Sequence, residues 1–306
     1  MKFAAVGVVL AFGALHLAAA PQDAPTFRAT ARSVLVDVSV KQGNNPVVGL
    51  RASDFSLLDN GVPQALSLVA TESVPLDISV FVDISGSTHS ARSEINAIVA
   101  DVVKLVRPGD RFRLLTNGLS IRQAIGWTEA GVVLTSPAVG TLSNVSLVYD
   151  GIYAAALHKP AVGRRHLVIA LTDGQDDCSV IRPEDLPALA ARTETVVHWI
   201  PEGGVEAGVF NPPVTGAVAR GSCPYRATLD TEPLAAFVRG TGGVVHEGFI
   251  ESLTGDIFKR ILDDYRQSYV LSYVPEGVTA SGWHALKVDV KGTRYAVRAR
   301  PGYSTD

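Results

Sequence analysis

Two apolar runs in this chain end in clusters of side chains with hard oxygen atoms, and this repeated arrangement constrains the fold more than any other feature. The first run extends from Leu76 to Val82 and leads into Asp83-Ile84-Ser85-Gly86-Ser87. The second extends from His166 to Leu171 and leads into Thr172-Asp173-Gly174. Short apolar runs that stop at turn residues are typical of buried strands. Because open α/β sheets bind ligands outside the carboxyl ends of their strands, the two clusters are predicted to meet at one edge of a sheet.

The side chains at these strand ends have the chemistry of a divalent-cation site. Asp83, Ser85 and Ser87 supply a carboxylate and two hydroxyls, and Asp173 supplies a second carboxylate. Ser146, in a loop between the two runs, offers a third hydroxyl. Oxygen ligands of this kind suit Mg²⁺, which also keeps several water ligands. We therefore predict a metal site for Mg²⁺, with Mn²⁺ or Ca²⁺ as alternatives.

Each of these residues also has a purely structural interpretation. Ser85 and Ser87 are favoured N-cap residues for the helix that follows them, and Asp173-Gly174 is a common turn pair. The metal site is favoured because the whole ordered set falls on loops that are predicted to follow strands.

The order of predicted elements indicates an α/β core between two β-rich segments. Between residues 76 and 266, apolar runs alternate with helical periodicity, as in the predicted helix from Ser93 to Val106. Strands that alternate with helices imply a mostly parallel sheet. A predicted hairpin, with arms from Trp283 to Val290 and from Arg294 to Arg300, follows the core. Because a lone hairpin exposes its edges, we expect it to pack with the N-terminal strands as a small β-sandwich.

These patterns give the predicted boundaries of the chain's segments. Residues 1–20 form a signal peptide, 27–72 an N-terminal β-rich segment, 76–266 the α/β domain and 267–303 the C-terminal hairpin. Within the α/β domain we predict a loop from Asn144 to Gly151 that leads into a helix, and a strand from Val244 to His246.

The first residues of the chain indicate export. Met1-Lys2 precedes an apolar stretch from Phe3 to Ala20, which is the pattern of a secretory signal peptide. An uncleaved N-terminal anchor is the alternative. Later segments are too short or too polar to span a bilayer, so no membrane span is expected after signal removal. We therefore expect a periplasmic, cell-envelope or secreted protein.

Two cysteines, Cys178 and Cys223, are present. In an exported chain an even number of cysteines predicts a disulfide, and two free thiols are the alternative. The bond would join the loop after Asp173 to a segment rich in Gly and Pro, from Glu202 to Arg226. That segment has two interpretations, as a partner-binding insertion or as a surface loop.

The ligand set resembles the metal-ion-dependent adhesion site of the von Willebrand factor A (VWFA) domain. Asp83, Ser85 and Ser87 match the family's Asp-x-Ser-x-Ser motif, and Asp173 matches its last ligand. Ser146 falls where the family usually has Thr, a change that keeps the hydroxyl oxygen. The resemblance implies a Rossmann-like α/β fold. It also implies that the bound metal accepts a carboxylate from a partner protein, as in cell adhesion.

The flanking segments resemble the VWFA-related domain family typical of acidobacteria. Thr88 departs from that family, which commonly has Met after the second Ser of the motif. The matching positions are Gly49-Leu50, Asp54-Phe55, Asp59-Asn60-Gly61, the segment from Tyr265 to Tyr273, and Arg300-Pro301-Gly302-Tyr303.

Three classes of function fit these features, and a binding module is favoured. A metal-dependent hydrolase is the first alternative, with His89 near the motif, but the chain has no GxSxG, HExxH or Walker A sequence. A structural envelope protein with a vestigial metal site is the second. The net charge of −3 gives no electrostatic basis for nucleic-acid binding. We therefore expect a protein partner that presents a carboxylate, and no enzymatic activity.

Overall fold

The computed structural model describes residues 33–69, 74–84, 91–118, 120–132, 145–201, 230–246, 256–292 and 295–305, without the side chains of 68, 69, 91–96 and 98. The helices of this part of the chain are α1 Ala91–Leu105, α2 Val148–Ala156, α3 Leu186–Arg192, α4 Glu232–Gly240 and α5 Asp256–Arg266, with short 3₁₀ turns at Ala52–Asp54 and Pro183–Asp185. The strands are β1 Val34–Gln42, β2 Asn45–Pro46, β3 Phe55–Asp59, β4 Val62–Pro63, β5 Ser67–Val69, β6 Leu76–Asp83, β7 Arg111–Asn117, β8 Arg122–Glu129, β9 Arg165–Thr172, β10 Val196–Pro201, β11 Tyr269–Tyr273, β12 Trp283–Val290, β13 Ala296–Ala299 and β14 Gly302–Ser304. None of the described helices is long and apolar enough to cross a membrane.

The central sheet has the strand order β10-β9-β6-β7-β8. β10, β9, β6 and β7 are parallel, whereas β8 runs antiparallel to β7. The predicted α/β class with a mostly parallel sheet is therefore confirmed. Strand β8 was not predicted from the sequence; it is an antiparallel edge strand of a kind that is common on otherwise parallel sheets.

Strand β6 lies in the middle of this sheet and is buried along its whole length. Its apolar side chains divide between two cores because successive residues of a strand point to opposite faces. The core on one face includes residues of α1 and α5, and the core on the other includes residues of α2, α3 and α4. Leu76, Ile78, Val80 and Val82 belong to the first core and Phe81 to the second. Asp77 and Asp83 therefore share the α2 face with Phe81.

Helix α2 packs unusually close to β6. A Cβ atom added to Gly151 would lie 2.2 Å from Cε2 of Phe81, so only glycine fits at this position. The helix begins at Val148, earlier than the predicted loop from Asn144 to Gly151 allowed. The sequence pattern misled because Asp150-Gly151 is typical of a turn, whereas here the glycine permits close helix–sheet contact.

Strands from the first and last described parts of the chain together form the predicted β-sandwich. One sheet has the order β13-β1-β11-β5, and the other has the order β14-β12-β3-β4. Apolar side chains from β1, β3, β11 and β14 form one shared core between them. N-terminal strands thus pair with C-terminal ones in both sheets, as predicted.

The predicted hairpin of β12 and β13 is wrong. β12 pairs with β3 and β14, whereas β13 pairs with β1 in the opposite sheet. The chain crosses between the sheets after Val290, because each strand buries its apolar side against the common core from a different face. The predicted strand from Val244 to His246 is reduced to one bridge between Val245 and Trp199.

A buried carboxylate joins three aromatic side chains inside the sandwich. Asp59 Oδ2 accepts hydrogen bonds from Tyr273 (2.8 Å) and Tyr303 (3.0 Å), and its Oδ1 accepts one from His284 Nδ1 (2.8 Å). Burial raises the pKa of Tyr303 to about 12, so its hydroxyl keeps the proton that it donates. These bonds join Asp59 of β3 to Tyr303 of β14, although the two residues are 244 positions apart in sequence.

Candidate metal centre

The carboxyl ends of three neighbouring strands place polar side chains at one edge of the central sheet. β6 ends at Asp83, β7 at Asn117 and β9 at Thr172. Asp83 and Asn117 are direct partners in the β6–β7 register. The chain moves to one side of β6 for β7 and to the other side for β9, so this edge is a topological switch point, where α/β sheets bind ligands.

Asp83 is the centre of this group and is completely buried. Its Oδ2 accepts a hydrogen bond from Thr172 Oγ1 at 2.8 Å and another from Ser146 Oγ at 3.3 Å. Two of the predicted ligands, Asp83 and Ser146, are therefore in direct contact although 63 residues separate them.

Asn117 connects the strand end to the Ser146 loop. Its Oδ1 accepts a hydrogen bond from the Ile84 N–H at 3.1 Å, and its Nδ2 donates one to Ser146 Oγ at 3.4 Å. Asn117 was not predicted as a site residue. The available signal was its polar side chain just after the apolar run from Phe112 to Leu115, because the carboxyl end of such a strand shares an edge with Asp83.

Thr172 was also missed as a site residue, and it has two roles. Its Oγ1 donates to Asp83 and accepts a hydrogen bond from the Gly174 N–H at 3.0 Å, which folds the loop that carries Asp173. Gly174 has a φ of +81°, and a Cβ there would lie 2.6 Å from Cζ2 of Trp199. This turn therefore requires glycine. Asp173 lies within the turn, between Thr172 and Gly174; its side chain is partly exposed, and its Oδ1 accepts a hydrogen bond from the Gln175 N–H at 2.9 Å.

A second network holds the Ser146 loop against the segment after Asp173, which we call the 176–181 clamp. The carboxylate of Asp177 accepts from the Ser146 N–H at 3.2 Å. Asp176, completely buried, accepts from the Tyr149 N–H at 3.1 Å in the first turn of α2. A carboxylate at a helix N-terminus is favourable because the first N–H groups lack partners within the helix. In return, Asp150 of α2 accepts from the N–H groups of the clamp at Val180 and Ile181.

Several predicted site residues lie outside the described part of the chain. They are Ser85, Ser87, His89, Cys223 and the segment from Glu202 to Arg226. Cys178 is described, and its N–H donates to the carbonyl oxygen of Ser146 at 3.1 Å. The Cys178–Cys223 disulfide stays a prediction.

The described donor set fits a divalent cation with a preference for oxygen. Carboxylates from Asp83 and Asp173 and hydroxyls from Ser146 and Thr172 are grouped at one strand edge, without a nitrogen or sulfur ligand among them. Among the described residues, no three His, Cys, Asp or Glu side chains form a metal-binding group. The carboxylate and hydroxyl oxygens of this edge are a donor chemistry that suits Mg²⁺ better than Zn²⁺.

No protein-family model and no curated protein matches this chain. Solved structures to which it is similar include a von Willebrand factor type A protein from Catenulispora acidiphila, with 10% identity, TM-score 0.40, and coverage of 90% of this chain and 75% of the other. BatB from Bacteroides thetaiotaomicron has 15% identity, TM-score 0.40, and coverage of 62% and 98%. An aerotolerance-related membrane protein from Bacteroides fragilis has 12% identity, TM-score 0.41, and the same coverage.

These likenesses are distant, with sequence identities of 10–15%. The acidobacterial subfamily stays a prediction. In fold, the chain is similar to solved structures of von Willebrand factor A proteins, the family that the sequence from Asp83 to Ser87 resembles.

Proposed function

We propose that this protein is an exported binding module that holds a divalent cation at the carboxyl edge of its central sheet and uses it to bind a carboxylate of a partner protein. Asp83, Ser146 and Asp173 would hold the cation together with Ser85 and Ser87. The module has no reaction of its own in this proposal. Mg²⁺ is the favoured ion because the donors are carboxylates and hydroxyls.

One observation supports the proposal most strongly. The hydroxyls of Ser146 and Thr172 come from different parts of the chain and converge on the same oxygen, Oδ2 of Asp83. Such convergence needs three separate segments to be positioned together, which a simple turn or helix cap does not require. It supports a built oxygen-rich site at this edge.

The cation would supply positive charge and coordination positions that a partner's carboxylate can occupy. The protein's own residues would set the position and strength of that site. Asp83 and Ser146 are buried, so their oxygens are held in place, whereas Asp173 is partly exposed and would be accessible to a partner. The 176–181 clamp would keep Ser146 and Asp173 in register with each other.

Metal titration by calorimetry tests the proposal directly. The mature protein is expected to bind one Mg²⁺ or Mn²⁺, and the heat is expected to vanish in Asp83→Ala and in Asp173→Ala. Asp185→Ala is the matched control because it removes an exposed carboxylate from the nearby 3₁₀ turn. Normal binding in either of the first two variants would show that the ligand assignment is wrong.

Capture of a partner from the native cell envelope tests the second half of the proposal. Capture is expected to disappear with a chelator, to return with added Mg²⁺, and to fail with Ser85→Ala while the far-UV signal of that variant stays unchanged. Capture that continues in the presence of chelator would place the binding surface elsewhere, at the segment from Glu202 to Arg226 or at the β-sandwich.

A further inference from the structure

A cleft of about 510 Å³ lies between the α/β core and the β-sandwich. Helices α3 and α4 form one wall, and residues of β12, β13 and the turn after β13 form the other. Small-molecule sites in proteins typically have volumes of about 300–1,000 Å³ and mostly apolar walls with a few polar groups. The cleft has a suitable size for such a ligand.

The cleft lies at the opposite edge of the sheet from the candidate metal centre. It is lined by Ala190 and Ala191, near the end of α3, and by Arg239 and Gly240, at the end of α4. In α/β units the helices end where the following strands begin, so these residues belong to the amino edge of the strands. A ligand here would be separate from a metal at Asp83.

The apolar part of the lining includes an exposed aromatic ring in a fixed position. Trp283 is 51% exposed, which is unusual for so large an apolar side chain. Its ring lies directly over Gly302 of the neighbouring strand, since a Cβ at that glycine would be only 2.3 Å from Cζ2 of the indole. The ring and the alanines of α3 and α4, including Ala236, offer a rigid apolar surface.

The cleft also contains a half-buried cation. Arg298 lines it, and the hydrogen bond described for its guanidinium goes to a carbonyl oxygen, that of Gly242, and not to a carboxylate. Burial lowers the pKa of Arg298, and the charges of Asp264 and Asp37 oppose that shift only in part. Arginine nevertheless stays charged in proteins, so an anion in the cleft would compensate for the water that this guanidinium has lost.

Arg239 is a weaker candidate for anion binding. It is largely exposed and already forms an ion pair with Glu232 of the same helix. Arg298 is therefore the group in the cleft that can select a charged ligand.

From this combination we propose that the cleft binds a small organic anion, with its apolar body against Trp283 and the helix alanines and its anionic group paired with Arg298. The ligand class is an aromatic or aliphatic carboxylate, sulfonate or phosphate. The proposal does not depend on the metal centre.

Two dyes with the same aromatic body test it on the full chain. 8-Anilinonaphthalene-1-sulfonate carries an anionic group, and N-phenyl-1-naphthylamine lacks it. Arg298→Met is expected to weaken binding of the sulfonate about tenfold, because a charge-assisted pair is lost, and to change binding of the neutral dye by less than about twofold. Arg182→Met is the matched control, since Arg182 is exposed and does not line the cleft.

A second variant tests the place of binding. Ala236→Phe puts a large ring on a half-exposed helix position in the cleft wall, and it is expected to weaken both dyes about tenfold by occupying the space. Ala100→Phe, at an exposed position of α1, should leave the affinity for both dyes unchanged. Binding that survives Ala236→Phe would overturn the site, and equal loss of both dyes in Arg298→Met would overturn the preference for anions.

Discussion

The two ends of strand β6 each carry a completely buried aspartate on the same face, yet their surroundings differ in kind. Asp77 lies near the beginning of the strand and Asp83 at its end, with Phe81 and helix α2 between them. The described hydrogen bonds to Asp83 come from the hydroxyls of Thr172 and Ser146. Asp77 is instead bound by cationic side chains.

The carboxylate of Asp77 forms a dense ion-pair cluster. Arg111 donates two hydrogen bonds to it, at 2.7 and 2.9 Å, and Arg164 donates one at 2.6 Å. His158 Nε2 contacts the same group at 2.8 Å. Burial would raise the pKa of Asp77, but the bonds from Arg111, His158 and Arg164 outweigh this effect and hold it well below its usual value.

A neutral histidine lies next to this cluster. Burial lowers the pKa of His166 to about 3, so the ring is uncharged at physiological pH. Thr195 Oγ1 donates to the Ala156 carbonyl at 3.0 Å, so it accepts from His166 Nδ1, and His166 Nε2 must then accept from Ser79. The Asp77 cluster and His166 are thus held by ion pairs and hydrogen bonds within the fold.

Asp77 and Asp83 are equally buried, so burial of a carboxylate does not by itself identify its role. Guanidinium partners neutralise Asp77 within the fold, which suits a structural function. Hydroxyl partners orient Asp83 but carry no charge of their own, which suits a ligand that works together with a cation. The chemistry of the hydrogen-bonding partners, and not the burial of the carboxylate, distinguishes a structural role for Asp77 from a ligand role for Asp83.

Asp77→Ala is expected to have the largest effect on stability. Removing one partner of a buried ion pair typically costs about 3–5 kcal/mol, and the lower end, about 3 kcal/mol, is expected because Arg111 and Arg164 keep part of their hydration. Urea unfolding at pH 7 measures the change. The Mg²⁺ affinity of Asp77→Ala should stay within about twofold of the wild-type value, because the Asp77 cluster lies at the far edge of the sheet. A loss of metal binding as large as that of Asp83→Ala would remove the distinction between the two aspartates.

The same variant predicts a pH dependence. The folded-state pKa of Asp77 is lowered, so the ionised carboxylate contributes its full share of the folding free energy above the unfolded-state pKa of about 3.9. That stabilisation is lost as the pH falls toward the folded-state pKa. The stability difference between wild type and Asp77→Ala should therefore narrow below about pH 4. Asp101→Ala, which removes an exposed pair with Lys104, should cost less than about 0.5 kcal/mol at any pH.

Gly151→Ala should have an intermediate effect on stability and should also weaken metal binding. The added Cβ would overlap the Phe81 ring and push α2 away from the sheet, at a cost of about 2 kcal/mol in unfolding free energy. Because α2 follows directly after Ser146, metal affinity should fall as well. Gly126→Ala on the exposed strand β8 is the control.

A double variant checks the physical reason for that loss. Phe81→Leu removes the ring that Gly151→Ala would strike, so the two changes together should be less harmful than the sum of the separate effects. Strict additivity of their unfolding free energies would contradict close packing at this contact.

Thr172→Val should have the smallest effect on stability and the most selective effect on the metal. It keeps the shape of the side chain but removes the hydroxyl that holds Asp83 and Gly174, at a cost of about 1 kcal/mol. Metal affinity should fall about tenfold, the size expected for a residue that orients a ligand. Calorimetry and urea unfolding together separate the two effects.

Thr195→Val is the matched control at the opposite edge. It removes a buried hydroxyl that contacts His166 and the Ala156 carbonyl, so a similar loss of stability is expected. Metal affinity should not change. Equal losses of affinity in the two variants would show that Thr172 acts only through general stability.

The parts of the fold that were predicted from sequence depend on local periodicity. Apolar runs at β6 and β9 and helical spacing in α1 identified the mostly parallel sheet, because these patterns follow from the geometry of one element and its burial. Strand β8 was missed, and the pairing of β12 with β13 was wrong. Strand β8 pairs with β7 just before it, but it is a largely exposed edge strand without an apolar run. The pairing of β12 with β3 and β14 depends on which distant strand supplies the hydrogen bonds, and local pattern contains no such information.

The site was predicted in the same uneven way. Asp83 and Ser146 were identified from their residue types and their places after strands, and the structure brings them into contact. Asn117 was not considered, and Thr172 was noted only as the residue before Asp173. Their contribution appears only when three strand ends are side by side.

The sequence alone therefore determined the class of fold, the edge of the sheet at which a ligand site is expected, and the oxygen chemistry of that site. These depend on composition and short-range spacing. Only the tertiary structure decided that Asp77 forms ion pairs with arginines while Asp83 accepts hydrogen bonds from hydroxyls, and that the strand after Val290 belongs to the opposite sheet. The physical reason is that partners such as Arg164 and Thr172 lie almost ninety residues from the aspartates they bind, and packing, not local sequence, selects them.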